Sequence, residues 1–418
     1  MALLVQKYGG TSVDGPDRIR AVAARVAAAR AAGSDVVVVV SAMGDSTDEL
    51  IALAHRVSPE PNRRELDMLL TTGERVSMSL LAMALHDLGV EAISFTGSQS
   101  GVLTDGAHGA ARITGVKPDR ILEELARKKV VIVAGFQGVN PVTKEITTLG
   151  RGGSDTTAVA LAAALGASRS GAAATGPPLA VRCEICTDVP GVLTADPRVV
   201  PAARVLPRLS HRACSTLARL GGKVLHPRCV DLAARHHVPL VVRSSFDDSP
   251  GTEIVEEEME QPRVDAIAHR SGMSLAIAEG NAAGKGEART ILEEVADAFP
   301  ELELLAHEQE TESHGVIVWL GSREDAESLE KRFRELRGPG NEWKLTLQHG
   351  AAFVSVVGLG LGAREAARAE RALEKAGVPM HALRTSPTAL VVRVPEARVA
   401  DATRALHAAL IEAAAIGS

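Results

Sequence analysis

Residues 36–40 read Val-Val-Val-Val-Val, an unbroken run of β-branched residues that predicts a strand buried on both faces. Residues 130–133, Val-Val-Ile-Val, form a second run of the same kind. Helical patterns lie before and between these runs, at about 16–33, 46–57, 64–88 and 117–128. This alternation of strand and helix over the first 250 residues predicts an α/β fold, a three-layer mostly parallel sheet with helices on both faces.

Two glycine-rich segments are expected at the carboxyl ends of these strands, where ligands of α/β sheets collect. They read Lys7-Tyr8-Gly9-Gly10-Thr11-Ser12 and Gly150-Arg151-Gly152-Gly153-Ser154-Asp155-Thr156-Thr157, and each opens onto a helical pattern. Glycines let the backbone approach a ligand closely, and a helix N-terminus attracts an anion. Neither segment has the spacing of a Walker A loop, and either alone fits a plain connection equally well. Together, with their cations and a carboxylate, they indicate binding and transfer of a phosphoryl group.

The composition is that of a globular chain long enough for two or three domains. The 418 residues are 45% hydrophobic and 23% charged, and only 2% are aromatic, so Ala, Val, Leu and Ile must build the core. The formal net charge of −6 argues against general nucleic-acid binding. The N-terminal sequence shows no signal-peptide pattern and no apolar run reaches the length of a membrane span, so we expect a cytoplasmic protein.

The four cysteines are too few and too irregularly spaced for a disulfide framework. Cys183 and Cys186 have the spacing of a redox pair or of half a zinc site. No second Cys/His pair follows at a matching distance, so we interpret them as buried strand residues.

The C-terminal part changes its pattern after an acidic linker predicted at 251–263. Two successive βαββα patterns follow, predicted as small α+β domains at 264–340 and 341–418. Within the first 250 residues, the small and polar segment 167–178 is expected to form a surface loop whose role stays open.

Six ordered motifs closely resemble the aspartokinases of the amino acid kinase family, and they cover nearly all of residues 1–250. The motifs are Lys7–Ser12, Ser41–Leu50, Thr72-Gly73-Glu74, Thr147–Thr157, Thr187–Arg198 and Lys223–Arg228. The two C-terminal patterns resemble the tandem ACT domains of that family.

The resemblance implies transfer of the γ-phosphoryl group of ATP, used with Mg²⁺, to the β-carboxylate of L-aspartate. Such enzymes feed the pathways to threonine, methionine and, in many bacteria, lysine. They are usually homodimers, and lysine or threonine often inhibits them at the ACT interface. In this chain the family's usual Thr-Ser-Glu is Thr385-Ser386-Pro387, and proline removes a backbone donor there. Feedback control by lysine or threonine therefore stays open.

The candidate site residues combine local reasoning with the resemblance. Lys7, beside two glycines at a strand end, can reach the β- and γ-phosphates. By resemblance Asp155 orients this lysine, although it could be a simple N-cap, as could Thr47. Glu74, which we expect at a turn, contacts the substrate ammonium by resemblance, and Arg151 offers a planar fork to a carboxylate. The resemblance gives the substrate side as Thr47, Glu74, Arg151 and Ser154, and the ATP side as Lys7, Gly9, Gly10, Ser41, Thr187, Asp188, Asp196, Pro197, Arg198 and Lys223.

Two other functions compete with aspartate phosphorylation. One is an amino-acid kinase for glutamate or N-acetylglutamate, against which the Arg151 and Glu74 pair and the long C-terminal half argue. The other is a catalytically silent amino-acid sensor that binds through its ACT-like pair. The intact set of Lys7, Arg151 and Asp155 argues against a silent protein.

Overall fold

The computed structural model describes residues 2–169, 181–222, 224–256, 263–280, 287–299, 301–311, 314–337 and 342–413. The chain divides into two compact units. The first contains the chain up to Thr194 and resumes at Arg204, and the second contains Ala195–Ala203 together with the C-terminal part from residue 263 onward. Most of the segment 167–178, Lys223 and most of the acidic run lie outside the described residues.

The first unit alternates strands and helices as the sequence predicts. Its elements are β1 (Leu3–Tyr8), α1 (Pro16–Ala31), β2 (Asp35–Val40), α2 (Ser46–Val57), α3 (Arg63–Asp87), β3 (Ala92–Phe95), β4 (Val102–Thr104), β5 (Ile113–Val116), α4 (Asp119–Ala126), β6 (Val130–Ala134), β7 (Gln137–Val139), β8 (Ile146–Thr148), α5 (Gly153–Arg169), β9 (Val181–Thr187), β10 (Arg208–Ser210), α6 (His211–Arg219), α7 (Pro227–Arg235), β11 (Leu240–Ser244) and β12 (Thr252–Val255).

The main sheet follows the order β10-β12-β11-β9-β1-β2-β6-β3, and the pairs from β11 to β3 are all parallel. Helices cover both faces because the valine runs are buried on both sides. Val36, Val38 and Val40 pack with α1 and α3, and α5 contacts β1, β2 and β9. The predicted three-layer α/β fold is confirmed. β12 occupies residues 252–255 of the predicted linker, since Thr252 and Ile254 alternate into the core.

A second, smaller sheet in this unit follows the order β5-β4-β7-β8. Its strands have only three or four residues each. β8 leads directly into the second glycine-rich segment and α5. The small sheet therefore positions a loop that we expected to follow a strand of the main sheet.

The second unit shows two successive βαββα patterns, as predicted. Its elements are β13 (Arg263–Gly280), α8 (Glu287–Ala298), β14 (Glu303–Thr311), β15 (His314–Gly321), α9 (Arg323–Arg337), β16 (Lys344–Leu359), α10 (Ala363–Lys375), β17 (Ala382–Ser386), β18 (Ala389–Pro395) and α11 (Val399–His407). The strands form one antiparallel sheet in the order β14-β15-β13-β16-β18-β17.

The long strands β13 and β16 are shared by two hydrophobic cores. The first part of β13 and the last part of β16 pack with α10 and α11, as Ile267, Val354 and Leu406 show. The last part of β13 packs with α8 and β15 through Ala276 and Ile317. The predicted division at residues 340 and 341 stays a prediction.

None of the described helices is both long and apolar enough to cross a membrane.

Candidate active site

The carboxyl ends of the parallel strands bring several loops of the first unit side by side. Backbone hydrogen bonds join them: Gly9 N–H donates to the Cys186 carbonyl at 3.4 Å, Ser41 N–H to Tyr8 at 3.1 Å, and Gly135 N–H to Val40 at 3.0 Å. These bonds continue the ladder beyond the strand ends. They fix the first glycine loop between the loops that follow β9 and β2.

Lys7 and Asp155 form an ion pair at this edge, with 2.7 Å between Lys7 Nζ and Asp155 Oδ1. Each side chain is 12% exposed, so the pair is shielded but still open to a ligand. Asp155 lies within the first turn of α5, which begins at Gly153, and not at the cap position. A carboxylate at this distance can orient the ammonium group, and the orienting role that the resemblance implies for Asp155 stays a prediction.

The first glycine loop leaves room around that ammonium group. A Cβ on Gly9 would lie 3.3 Å from Lys7 Nζ, and one on Gly10 would lie 3.0 Å from the carbonyl oxygens of Ala42 and Gly44. Larger residues would push the loop away from the end of β2. The glycines therefore allow backbone and ammonium group to face one ligand together.

Glu74 is a buried carboxyl group, and its two oxygens differ in their hydrogen bonding. It is 2% exposed, and Ala42 N–H donates to its Oε1 at 3.2 Å. Among the described residues, Oε2 has no hydrogen-bond partner. Burial raises the pKa of Glu74 to about 7. A carboxyl in this state is suited to receive a cationic group from a ligand.

The expected turn at Glu74 is wrong, because Gly73 and Glu74 lie in the middle of the continuous helix α3. The glycine has a packing role instead. A Cβ on Gly73 would lie 2.8 Å from the Ala42 Cβ, so the helix could not approach the loop after β2. This close approach is what places Glu74 under the Ala42 amide.

The second glycine loop bends through two left-handed residues, Gly150 at φ +71° and Gly152 at φ +69°. Arg151, between them, is exposed, whereas Ser154 is buried at 8% exposure. A Cβ on Gly135 would lie 2.7 Å from Ser154 Oγ. Ser154 therefore lies directly beside the loop after β6, and the second segment reaches the edge of the main sheet although it follows β8.

The remaining substrate and nucleotide candidates are less closely gathered. Thr47 lies in the first turn of α2, whose cap position is Asp45. Thr187 Oγ1 donates to Asp188 Oδ1 at 3.1 Å at the end of β9. Lys223 lies outside the described residues.

Asp196, Pro197 and Arg198 belong to the second unit. Arg198 donates to Asp196 through its backbone N–H at 2.9 Å and through Nε at 3.0 Å. These bonds, chiefly those of the side chain, lower the pKa of Asp196. The roles of Asp196, Pro197 and Arg198 in binding a nucleotide stay predictions.

Sequence reasoning did not single out Ser12 and Ser245, which join two of the loops. Ser12 Oγ donates to Ser245 Oγ at 2.9 Å, and Ser245 Oγ donates to the Thr187 carbonyl at 3.1 Å. Ser12 is part of the first glycine motif, but nothing in the sequence indicates its partner 233 residues away.

The described residues contain no group of three or more His, Cys, Asp or Glu side chains that could hold a metal ion. The four cysteines are buried and free, as the strand interpretation expects for Cys183 and Cys186. Burial raises the pKa of Cys214 to about 12, which leaves its thiol unreactive.

The model of the amino acid kinase family matches residues 2–244. The aspartokinase of Corynebacterium glutamicum is 44% identical over 415 residues, covering 97% of this chain and 96% of that protein. The chain belongs to the aspartokinases. Aspartokinase 2 of Bacillus subtilis is 41% identical over 411 residues, covering 97% of both chains.

Solved aspartokinase structures share the fold over the full length. Escherichia coli aspartokinase III in complex with aspartate and ADP superposes with a TM-score of 0.77 at 25% identity, covering 98% of this chain and 99% of that one. The same enzyme with lysine and aspartate gives a TM-score of 0.70 at the same coverage.

Proposed function

We propose that this aspartokinase transfers the γ-phosphoryl group of ATP to the β-carboxylate of L-aspartate, giving 4-phospho-L-aspartate and ADP. The observation that carries the proposal is the Lys7–Asp155 ion pair at the same sheet edge as the half-satisfied Glu74 carboxyl. One is suited to phosphates and the other to an ammonium group. The related structure with aspartate and ADP supports this choice of ligands.

The phosphoryl transfer needs positioning and charge compensation more than covalent chemistry. A β-carboxylate oxygen attacks the γ-phosphorus, and the bond from that phosphorus to the bridging oxygen of ADP breaks. A carboxylate is already ionised at neutral pH, so no general base is required. Lys7, held by Asp155, compensates the charge on the β- and γ-phosphates, and the amides of Gly9 and Gly10 add hydrogen-bond donors.

The substrate is bound at both of its ends in this proposal. Glu74 Oε2 accepts a hydrogen bond from the ammonium group, which supplies the partner that this buried atom lacks among the described residues. The Arg151 guanidinium forms a bidentate pair with a carboxylate. Thr47 and Ser154 complete the substrate side.

For the nucleotide side the proposal relies on the resemblance, which gives Ser41, Thr187, Asp188, Asp196, Pro197, Arg198 and Lys223 in addition to the first glycine loop. Magnesium would enter this scheme bound to ATP and would supply charge compensation for the phosphates.

The competing functions fit the site less well. N-acetylglutamate has no ammonium group to satisfy the buried Glu74 oxygen. A silent sensor would not need the shielded Lys7–Asp155 pair. Glutamate differs from aspartate by one methylene group. The site can therefore reject glutamate only through the distance between Glu74, which binds the ammonium group, and Arg151, which binds a carboxylate.

The proposal includes a homodimer, an amino-acid effector and a cytoplasmic location in the route to threonine, methionine and lysine. The aspartokinase III complex with lysine supports an effector of this class. The exposed edge strand β14, with Leu304 49% exposed, supports pairing of the second unit with another copy. Light scattering tests the dimer as twice the chain mass of 43.6 kDa.

The test is ATP-dependent formation of aspartyl hydroxamate by the purified chain with Mg²⁺, L-aspartate and hydroxylamine. We expect activity with L-aspartate and at least about a hundredfold less with L-glutamate or with the Lys7→Ala variant. Parallel reactions with lysine and threonine report on the effector. A well-folded protein that forms no hydroxamate but binds lysine or threonine would favour the sensor.

A further inference from the structure

Asp67 is a buried carboxylate that the proposed chemistry does not use. It lies on α3, seven residues before Glu74, so that both side chains project from nearly the same face of the helix. Asp67 is 1% exposed, although an ionised carboxylate is rarely buried without several partners. Its partners therefore show which parts of the molecule depend on it.

Three donors from two different segments satisfy Asp67. The Gly109 amide lies 3.1 and 3.2 Å from its two oxygens, Thr148 Oγ1 donates to Oδ1 at 2.6 Å, and His108 Nδ1 lies 2.7 Å from Oδ2. His108 and Gly109 belong to the loop between β4 and β5. Thr148 is the last residue of β8, three residues before Arg151.

The two segments also bind each other beside the second glycine loop. Ala111 N–H donates to the Thr148 carbonyl at 2.9 Å, and a Cβ on Gly150 would lie 3.0 Å from the Gly109 carbonyl oxygen. Arg228 donates to the Leu149 carbonyl at 2.7 Å and to the Ala111 carbonyl at 3.0 Å. The chain that leads into Arg151 is thus held on one side by Asp67 and on the other by Arg228.

We propose that Asp67 is a positioning residue for the substrate site, because it fixes the span between Glu74 and Arg151. Glu74 shares the rigid helix α3 with Asp67, and Arg151 follows the strand end that Asp67 binds through Thr148. This inference rests on the proposed function, in which Glu74 binds the ammonium group and Arg151 a carboxylate of the same aspartate. A fixed distance between Glu74 and Arg151 fits an amino acid of only one side-chain length.

The consequence is a selective effect on aspartate. Lys7 lies within β1, Asp155 lies within α5, and Gly9 N–H donates to the Cys186 carbonyl, so loosening the Asp67 contacts leaves the phosphate side in place. Aspartate must then bind to two groups whose separation is no longer set. A shift of a fraction of an ångström in such groups is enough to weaken binding and turnover markedly.

The test is a matched pair at Thr148, which is buried at 1% exposure. Thr148→Val keeps the shape but removes the donor to Asp67, whereas Thr148→Ser keeps the hydroxyl group. We expect Thr148→Val to raise the calorimetric Kd and the KM for L-aspartate about tenfold, with the KM for ATP within about twofold of wild type. Thr148→Ser should recover most of the wild-type affinity.

Two further variants separate positioning from general stability. Thr403→Val makes the same change at a buried hydroxyl group of α11, where Thr403 Oγ1 donates to the Val399 carbonyl at 2.8 Å. It should lower the unfolding midpoint without changing the Kd for aspartate. If Thr148→Val does not fold, His108→Leu removes a different donor to Asp67 and should show the same selective loss.

Three results would overturn the inference: an unchanged Kd for aspartate in the folded variant, equal losses for aspartate and ATP, or a Thr148→Ser variant no better than Thr148→Val. The titrations use the full chain and need no turnover. A wild-type protein that binds aspartate without phosphorylating it would therefore contradict the proposed function and still allow this test.

Discussion

At the scale of single residues, the site depends on two carboxyl groups in opposite electrostatic conditions. Asp155 is paired with a cation at 2.7 Å. Glu74 accepts a hydrogen bond from the Ala42 amide, and its burial raises its pKa to about 7. The first group has a cation beside it before any ligand arrives, whereas the proposed function gives the second its cation only from the ligand.

Glu74 therefore lowers the stability of the ligand-free protein as the pH rises. Its pKa is about 7 in the folded chain against the ordinary 4.5, so the unfolded chain releases this proton first. The protein loses stability between these two pH values and levels off above pH 7. We expect Glu74→Gln to raise the free energy of unfolding at pH 8 by about 2–3 kcal/mol, with little gain at pH 4.5, as measured by denaturant titration.

The same variant should abolish high-affinity aspartate binding, since an amide gives the ammonium group no charge partner. Glu184→Gln is the control. Glu184 is also buried, but Gln6 Nε2 donates to it at 2.9 Å and Arg243 lies nearby, so its removal should not stabilise the protein at high pH. A Glu74→Gln variant that is less stable than wild type at pH 8 would contradict the assigned burial effect.

At the scale of elements, the second glycine loop depends on a glycine that no other residue can replace. A Cβ on Gly152 would lie 2.2 Å from the Cβ of His226, which caps α7. Gly33 is the matched control, because it is also left-handed at φ +91° but a Cβ there would meet no described atom within 4 Å.

Both alanine variants should incur roughly 1–2 kcal/mol of left-handed backbone strain. Gly152→Ala must in addition separate the loop from α7, and we expect it to lower kcat/KM for aspartate at least about tenfold. Gly33→Ala should lose a similar amount of stability from backbone strain alone and keep its activity. Equal activities of the two variants at matched stability would show that the loop tolerates displacement.

The elements differ in how well the sequence predicts them. The runs at 36–40 and 130–133 and the long helical patterns have strong local signals, and they match β2, β6, α1, α2, α3 and α4. β4, β5, β7 and β8 have three or four residues each and show no comparable period. The small sheet was therefore not predicted, and neither was the origin of the second glycine loop.

The site shows the same division. Lys7 and Asp155 lie in two motifs that together indicate phosphate chemistry, and the structure places the two side chains side by side. The contacts of Asp67 reach residues 41, 42 and 81 positions away, which no local pattern indicates. The buried state of Glu74 likewise follows from the approach of α3 to Ala42, and a helical glutamate alone does not suggest it.

At the scale of the whole molecule, the strands of the two units have different roles: those of the first unit lead into the candidate site, and two long strands of the second unit connect its hydrophobic cores. In the first unit the parallel strands β1, β2, β6 and β9 end in loops at the candidate site. In the second, β13 and β16 each extend through two hydrophobic cores, with register irregularities between Arg270 and Met273. Sequence patterns predict the order of these strands along the chain. They do not predict that two cores share β13 and β16, because the pairing of these strands joins residues 65 to 96 positions apart.

In the proposed reaction an oxygen of the aspartate β-carboxylate attacks the γ-phosphorus of ATP. The most direct measurement uses L-aspartate labelled with ¹⁸O in the β-carboxylate, with hydroxylamine to trap the acyl phosphate. Hydroxylamine attacks the acyl carbon of the acyl phosphate. The carboxylate oxygen that became bonded to phosphorus therefore leaves with the phosphate. Mass spectrometry of the released phosphate should show one ¹⁸O atom per phosphate, and label in the α-carboxylate should not transfer. Unlabelled phosphate formed together with ADP would contradict the account, because water would then be the acceptor.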